Sequence, residues 1–122
     1  MFKYGEDFLG VNEVLALVNG ELKGQISEKV LAKIQKSTHC VNEIVASTDV
    51  VYGINTGFGP LCDTKISESQ TSELQHNLLI SHSVGVGEPI ALNLAKAMMI
   101  CKVHSLCKAF SGIRLETIQR IL

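Results

Sequence analysis

The sequence predicts a mainly α-helical domain that contains one glycine-rich loop and room for only short strands. Apolar residues recur at spacings of three and four along most of the chain, which is the period of an amphipathic helix. Three glycines, an asparagine and a proline fall within residues 53–60, a composition that excludes a helix or an ordinary strand there. With 122 residues, of which 46% are apolar, the chain is suited to one packed domain.

The first half of the chain is predicted to form two helices after an extended start. Residues up to Gly10 suit a short strand or an arm, and the apolar pattern of 11–18 predicts a short helix that Asn19-Gly20 ends. Ser27 is a suitable N-cap for a longer helix, with an acidic residue in its first turn. Apolar residues of that helix share one face, and it is expected to end near residues 47–49.

The second half is predicted to form three more helices. A β-prone run at 50–52 leads into the loop, and Ser67 with Gln70 fits a capping box for a helix that stops at Gly85. Pro89 precedes a helix expected from about residue 91 to 110, with Gly112 as the C′ residue. The last helix follows Ile113 and has no stop signal, so we expect a truncated chain. Its exposed apolar face is predicted to include Ile118, Ile121 and Leu122.

Composition excludes several classes of function. The net charge of −1 gives no basic surplus for nucleic acid, and no apolar run reaches the roughly 20 residues that span a bilayer. The early acidic residues do not fit a secretory signal, so a soluble, cytoplasmic protein is expected. Without export, the four cysteines are expected to be free and mostly buried thiols.

Two candidate ligand sites are weak. In the segment Gly57-Phe58-Gly59, Cys62 stands where a dinucleotide-binding fingerprint needs its third glycine, so nucleotide binding is disfavoured. Cys101, His104 and Cys107 recur every three residues, which spreads them by roughly 120° around a helix and supplies only three ligands. No metal site is therefore predicted.

Tyr52 and His82 are the residues whose side chains could carry chemistry. A tyrosine after two valines is most often a surface residue, and its weakly acidic phenol becomes a base only in a positive field. His82 near a helix end is most often a capping or partly buried residue. Residue type and spacing alone do not identify a reaction.

Longer phrases resemble the aromatic amino-acid ammonia-lyase family. Residues 51–59, Val-Tyr-Gly-Ile-Asn-Thr-Gly-Phe-Gly, resemble the family's active-site loop. Residues 74–87 resemble its ring-binding helix and the following turn, and residues 105–114 resemble the next helix end. The resemblance implies the helical N-terminal domain of the ammonia-lyase (aspartase/fumarase-like) fold over residues 1–122, cut before the cofactor-forming segment and the central helical bundle.

The resemblance also implies roles for individual residues. Tyr52 becomes the base that removes a carbon-bound proton, while Gly53, Gly57 and Gly59 become hinges of a lid over the substrate. Asn55 and Phe58 match the motif and are assigned to loop shape. Ser81 and His82 occupy the pair that faces the substrate ring, and Ser-His resembles members that act on histidine, because an imidazole can hydrogen-bond another imidazole.

The implied reaction removes ammonia from L-histidine to give urocanate, as in histidine catabolism. It uses a methylidene-imidazolone electrophile made from Ala-Ser-Gly, in a homotetramer whose subunits share active sites. No Ala-Ser-Gly occurs in these 122 residues, so the chain alone is expected to be inactive and to hold no cofactor. Alternatives are a phenylalanine or tyrosine ammonia-lyase or an aminomutase of the same family, or a non-catalytic helical interaction module.

Overall fold

The computed structural model describes residues 1–56 and 68–122, and over them the chain is mainly helical, as predicted. Contacts divide the chain into unit 1, residues 1–40 and 89–122, and unit 2, residues 41–88. The elements in order are β1 (Phe2–Lys3), α1 (Val11–Val18), β2 (Gly24–Gln25), α2 (Glu28–Ala46), α3 (Glu68–His82), α4 (Leu92–Leu106) and α5 (Leu115–Ile121).

The predicted helix α1 is confirmed and serves as a crossover between two short strands. Its first turn is closed by Glu13, whose carboxylate accepts a hydrogen bond from the Gly10 N–H at 3.0 Å. After α1 the chain returns to pair β2 with β1 in parallel, with Phe2 opposite Gly24. Gly24 is required there because a Cβ would collide with the Tyr4 ring. The extended start of the chain was predicted, whereas β2 was not.

Ser27 is the N-cap of α2, as predicted. Its hydroxyl oxygen accepts a hydrogen bond from the Val30 N–H at 3.3 Å. The same hydroxyl donates to the Glu6 carboxylate at 2.7 Å, and Lys29 lies 3.3 Å from that carboxylate. The N-cap therefore also ties the segment after β1 to the start of α2.

The core of unit 1 collects side chains that are far apart in sequence. Helix α4 packs against both α1 and α5. The prediction that Ile118 and Ile121 are exposed is wrong, because α5 buries Ile118 and packs the partly buried Ile121 against the core, whereas Leu122 is exposed as expected. The buried core residues are Phe2, Tyr4, Val30, Ile34, Val103, Leu106, Cys107 and Ile118.

Two boundaries in the second half of the chain differ from the predictions. No strand forms at 50–52, because the Val51 N–H bonds to a side chain instead of a partner strand. Helix α4 ends at Leu106 rather than near 110, so Gly112 is not its C′ residue. Gly112 is left-handed, with φ +64°, and Ala109, which lies closer to the helix end, has the same left-handed φ. The predicted N-cap Ser67 lies outside the described residues.

The cysteines are less buried than predicted. Cys107 is buried, but Cys40 and Cys101 are exposed, because they lie on the outer faces of α2 and α4. Cys62 lies outside the described residues. Within 1–56 and 68–122, no group of three His, Cys, Asp or Glu residues could hold a metal ion, and no helix could cross a membrane.

Candidate functional site

Tyr52 lies in a tight turn that follows α2. The Ile54 N–H donates to the Val51 carbonyl at 3.1 Å, which places Tyr52 second and Gly53 third in the turn. Gly53 has φ +76°, the left-handed value that a type II turn requires at its third position. Tyr52 is 64% exposed. The turn therefore presents the phenol on the surface of unit 2.

The buried Asn55 side chain is hydrogen-bonded to the backbone of this turn. The side chain is 3% exposed, and its Oδ1 accepts a hydrogen bond from the Val51 N–H at 2.9 Å. Its Nδ2 donates to the Asp49 carbonyl at 2.8 Å and to the Ile44 carbonyl at 3.3 Å. Both amide hydrogens are thus used, as expected for a buried amide.

Thr56 adds a second connection inside the turn. It is 2% exposed, and its Oγ1 accepts a hydrogen bond from the Gly53 N–H at 3.3 Å. Val51 and Gly53 are the residues directly before and after Tyr52. The main-chain N–H of each is therefore bonded to a side chain that lies a few residues later in the sequence. The backbone that carries the phenol is fixed although the ring is exposed.

Ser81 and His82 are the last two residues of α3, and both are exposed. His82 Nδ1 lies 3.0 Å from the Leu78 carbonyl and 2.9 Å from Ser81 Oγ, and the Ser81 hydroxyl donates to the same carbonyl at 3.1 Å. A carbonyl oxygen only accepts, so this contact favours the tautomer with hydrogen on Nδ1. His82 Nε2 is then an acceptor for a donor outside the helix.

The predicted site residues fall into two groups. Tyr52, Gly53 and Asn55 lie in the turn, and Ser81 and His82 lie at the end of α3, both within unit 2. The hydrogen bonds described above for the turn and for the pair share no residue. Contact of either group with a substrate stays a prediction. The remaining loop residues, Gly57, Phe58 and Gly59, lie outside the described residues.

Sequence reasoning missed the partners that fix these groups. It assigned Asn55 to loop shape without identifying its three hydrogen bonds, and it passed over Thr56. The preference of asparagine for bonding nearby backbone groups in turns was an available signal for Asn55. The Leu78 carbonyl could have been found from its position four residues before His82 on one helix.

Comparison with known proteins gives concordant matches. The family model described as aromatic amino acid lyase matches residues 9–122. A histidine ammonia-lyase of Streptococcus pyogenes serotype M3 is 37% identical over 114 residues, which are 93% of this chain and 22% of that protein. The chain therefore spans less than a quarter of the length of this relative.

Solved structures agree with the sequence matches. A histidine ammonia-lyase from Trypanosoma cruzi superposes with a TM-score of 0.86 at 38% identity, over 99% of this chain and 24% of that one. A tyrosine aminomutase from Streptomyces globisporus gives a TM-score of 0.87 at 28% identity, over 98% of this chain and 23% of that one. Both structural relatives carry the same arrangement of elements.

Proposed function

Because the chain belongs to the aromatic amino acid lyase family, we propose that it is the N-terminal part of an enzyme that converts L-histidine to urocanate and ammonia. The observation that carries the proposal is the identity of 37–38% to proteins named histidine ammonia-lyase over nearly the whole chain. We call that longer protein the parent enzyme. It would be a cytoplasmic homotetramer whose active sites combine residues of neighbouring subunits.

The proposal assigns proton removal to Tyr52. The hydrogen on the substrate's β-carbon is a poor acid, so the base must be held at a fixed place and must act where water is excluded. The turn supplies the fixed place, because Asn55 and Thr56 bond the backbone on both sides of Tyr52. Exclusion of water is assigned to the lid formed by the loop from Gly53 to Gly59.

Recognition of the substrate ring is assigned to Ser81 and His82. With hydrogen on Nδ1, His82 presents Nε2 as an acceptor, which suits the N–H of the substrate's imidazole. A phenyl ring offers no such donor, so in a closed site of the parent enzyme Nε2 would be left without a partner and phenylalanine would be disfavoured. Ser81 supports this orientation of the ring through its contact with Nδ1.

We propose that the electrophile is formed by a part of the parent enzyme outside these 122 residues. In the parent enzyme, methylidene-imidazolone formed from an Ala-Ser-Gly tripeptide would supply the electrophile that allows ammonia to leave. The 122 residues contain no such tripeptide, so none of them fits the cofactor as its source. This chain would contribute the base, the ring-binding pair and the lid.

A tyrosine-specific lyase or aminomutase is the second candidate. The acceptor Nε2 of His82 could receive a phenolic O–H as readily as an imidazole N–H. The match to a tyrosine aminomutase supports keeping this candidate, although its identity of 28% is lower than the 38% of the histidine enzyme. The two candidates predict different substrates for one pair of residues.

The test uses the parent enzyme with L-histidine, L-tyrosine and L-phenylalanine, and follows urocanate or the corresponding aryl acrylate by absorbance. We expect turnover of histidine, and His82→Leu should lower kcat/KM for it by about tenfold or more, the value of one hydrogen bond. His76→Leu is the matched control, since His76 is exposed on the same helix. Turnover of tyrosine but not histidine would replace this proposal with the second candidate.

The isolated chain is expected to be inactive in the same assay, because it lacks the source of the electrophile. Folded chain, verified by circular dichroism, should give no increase in urocanate absorbance with histidine. Turnover at a rate that rises with the concentration of the purified chain would contradict the assignment of the electrophile to the rest of the parent enzyme.

A further inference from the structure

The turn that carries Tyr52 is attached to the end of α2 by one buried side chain. Asn55 reaches back to the Ile44 carbonyl inside the last turn of α2 and to the Asp49 carbonyl just after it. It also accepts from the Val51 N–H, which immediately precedes Tyr52. One side chain therefore bonds the backbone at three positions, one inside α2 and two after it.

Local backbone geometry alone would not hold this turn. Short turns of this kind are only marginally stable, and the left-handed residue Gly53 is conformationally permissive. Among the residues that the structure describes, a Cβ at Gly53 would meet nothing within 4 Å, so none of them packs against the turn at that point. Tyr52 is 64% exposed, so most of its ring lies outside the core of unit 2. The position of the phenol therefore depends on its backbone, which Asn55 bonds on the side of Val51 and Thr56 bonds on the side of Gly53.

We propose that Asn55 is a positioning residue for Tyr52: its hydrogen bonds to residues 44, 49 and 51 hold the turn at the end of α2, so that the phenol occupies one place. The residue itself is buried and is not assigned any contact with substrate. The catalytic part of this inference rests on the proposed function, whereas the holding of the turn does not.

Two substitutions distinguish the hydrogen bond that Asn55 accepts from the two that it donates. Asn55→Ala removes all three, whereas Asn55→Asp keeps an acceptor for the Val51 N–H and loses the donors to the Ile44 and Asp49 carbonyls. Asn42→Ala is the matched control, because Asn42 is an exposed asparagine on α2. The Val30 amide is an internal reference, since it also donates to a side-chain oxygen but lies in unit 1.

The first measurement is amide hydrogen exchange by NMR on the 122-residue chain. In Asn55→Ala, exchange at Val51 should rise by on the order of tenfold and the Gly53 resonance should shift, while Val30 stays unchanged. Asn55→Asp should keep more protection at Val51 than Asn55→Ala does. Unchanged exchange at Val51 and an unshifted Gly53 in Asn55→Ala would overturn the proposal, whatever reaction the parent enzyme performs.

The second measurement is steady-state kinetics of the parent enzyme. A misplacement of about 1 Å can cost about 100-fold in rate, so Asn55→Ala should lower kcat by up to that factor and leave KM within about threefold. Tyr52→Phe added to Asn55→Ala should then lower kcat by less than it does alone. Fully additive losses, or a rise in KM with kcat unchanged, would refute positioning.

The two measurements test separate claims, so one claim can be refuted while the other stands. If the wild-type parent turns over none of the three amino acids, the proposed function falls and the exchange experiment alone decides the role of Asn55 in holding the turn. If the parent is active and exchange at Val51 is unaffected by Asn55→Ala, the positioning proposal falls and the proposed function stands.

Discussion

Single residues of unit 1 differ in reactivity because burial changes the cost of forming a charge. Cys107 is 1% exposed, and burial raises the pKa of its thiol to about 11. His104 faces the N-terminal segment, where the Gly5 N–H donates to its Nδ1 at 3.3 Å and the Phe2 ring lies 5.6 Å away. Burial, and to a smaller extent Lys108, lowers the pKa of this imidazole, while Asp7 opposes the shift.

Cys107 is expected to resist alkylation in the folded chain. The thiolate is the reactive form, and a pKa of about 11 leaves little of it at pH 8. Cys40 and Cys101 are exposed and should react first. Iodoacetamide labelling at pH 8, resolved by site with mass spectrometry, measures this. Equal labelling of Cys101 and Cys107 in the native chain would contradict it, and labelling in urea provides the control for intrinsic reactivity.

His104 is expected to make stability fall as the pH drops below about 6.5. Its pKa is lowered in the folded state, so between the folded value and the ordinary 6.5 the unfolded chain binds more protons, and acid favours unfolding. Protonation of Nδ1 would also remove the acceptor for the Gly5 N–H. The stability that neutral His104 provides is therefore fully present above pH 6.5 and is lost as the pH falls through the lowered pKa of the folded state.

Urea denaturation of the wild type and of His104→Asn between pH 7.5 and 5.5 measures this contribution. The asparagine keeps an acceptor but does not titrate, so its midpoint should vary less with pH. The pKa of Glu6 is lowered from 4.5, chiefly by the Ser27 hydroxyl, and its effect therefore appears only at pH values below this range. Parallel pH dependence in wild type and variant would exclude His104 as the cause.

At the level of elements, helix ends show how local sequence and packing share control. Ser27 begins α2 by a local hydrogen bond that any serine in that place could make. The end of α4 is different, because Ala109 takes a left-handed conformation usually reserved for glycine. The residues that follow Ala109 are bonded to α2: the Gly112 N–H donates to Ser37 at 3.0 Å, and Thr38 donates to the Ile113 carbonyl at 2.8 Å.

Ala109→Gly is expected to stabilise the chain by about 1 kcal/mol. A left-handed alanine costs about 1–2 kcal/mol relative to glycine, and the greater freedom of glycine in the unfolded chain offsets part of that gain. Ala32→Gly is a control of opposite sign, because Ala32 is exposed within α2 and glycine there should cost about 1 kcal/mol. Urea denaturation measures both changes. A destabilised Ala109→Gly would show that the conformation of Ala109 carries no strain.

For the whole molecule, the core of unit 1 joins both ends of the chain. Phe2 and Tyr4 from the first residues pack with Ile118 from α5, and with Val30 and Ile34 from α2. Such contacts are separated by many residues, so none of the local patterns could reveal them. Large apolar residues remain exposed, including Phe8, Val86 and Phe110.

Ile118→Ala is expected to destabilise unit 1 by about 2–4 kcal/mol, because the side chain is fully buried and its loss leaves a cavity. Leu122→Ala is the matched control: Leu122 is 60% exposed in the same C-terminal segment and should change stability by less than about 0.5 kcal/mol. Thermal or urea unfolding distinguishes them. Equal effects of the two variants would mean that α5 does not contribute its inner face to the core.

Local chemistry in the sequence determined much of this protein. The bounds of α1, the N-cap of α2 and the need for glycine after Tyr52 all follow from bonds between residues within a few positions of each other. The motif at residues 51–59 can likewise be recognised from the sequence alone, and the match to the family model confirms the resemblance. These features are predictable because their causes lie within one turn of backbone.

Tertiary structure decided the features whose partners are distant. The pairing of β1 with β2 and the burial of Ile118 and Cys107 each depend on contacts between separate segments. The β-prone run at 50–52 has instead a local reason for not forming a strand, because the Val51 N–H bonds to the Asn55 side chain four residues later. Propensity describes what a segment can form alone, whereas burial and hydrogen bonding to the rest of the chain determine which of those forms has the lowest free energy.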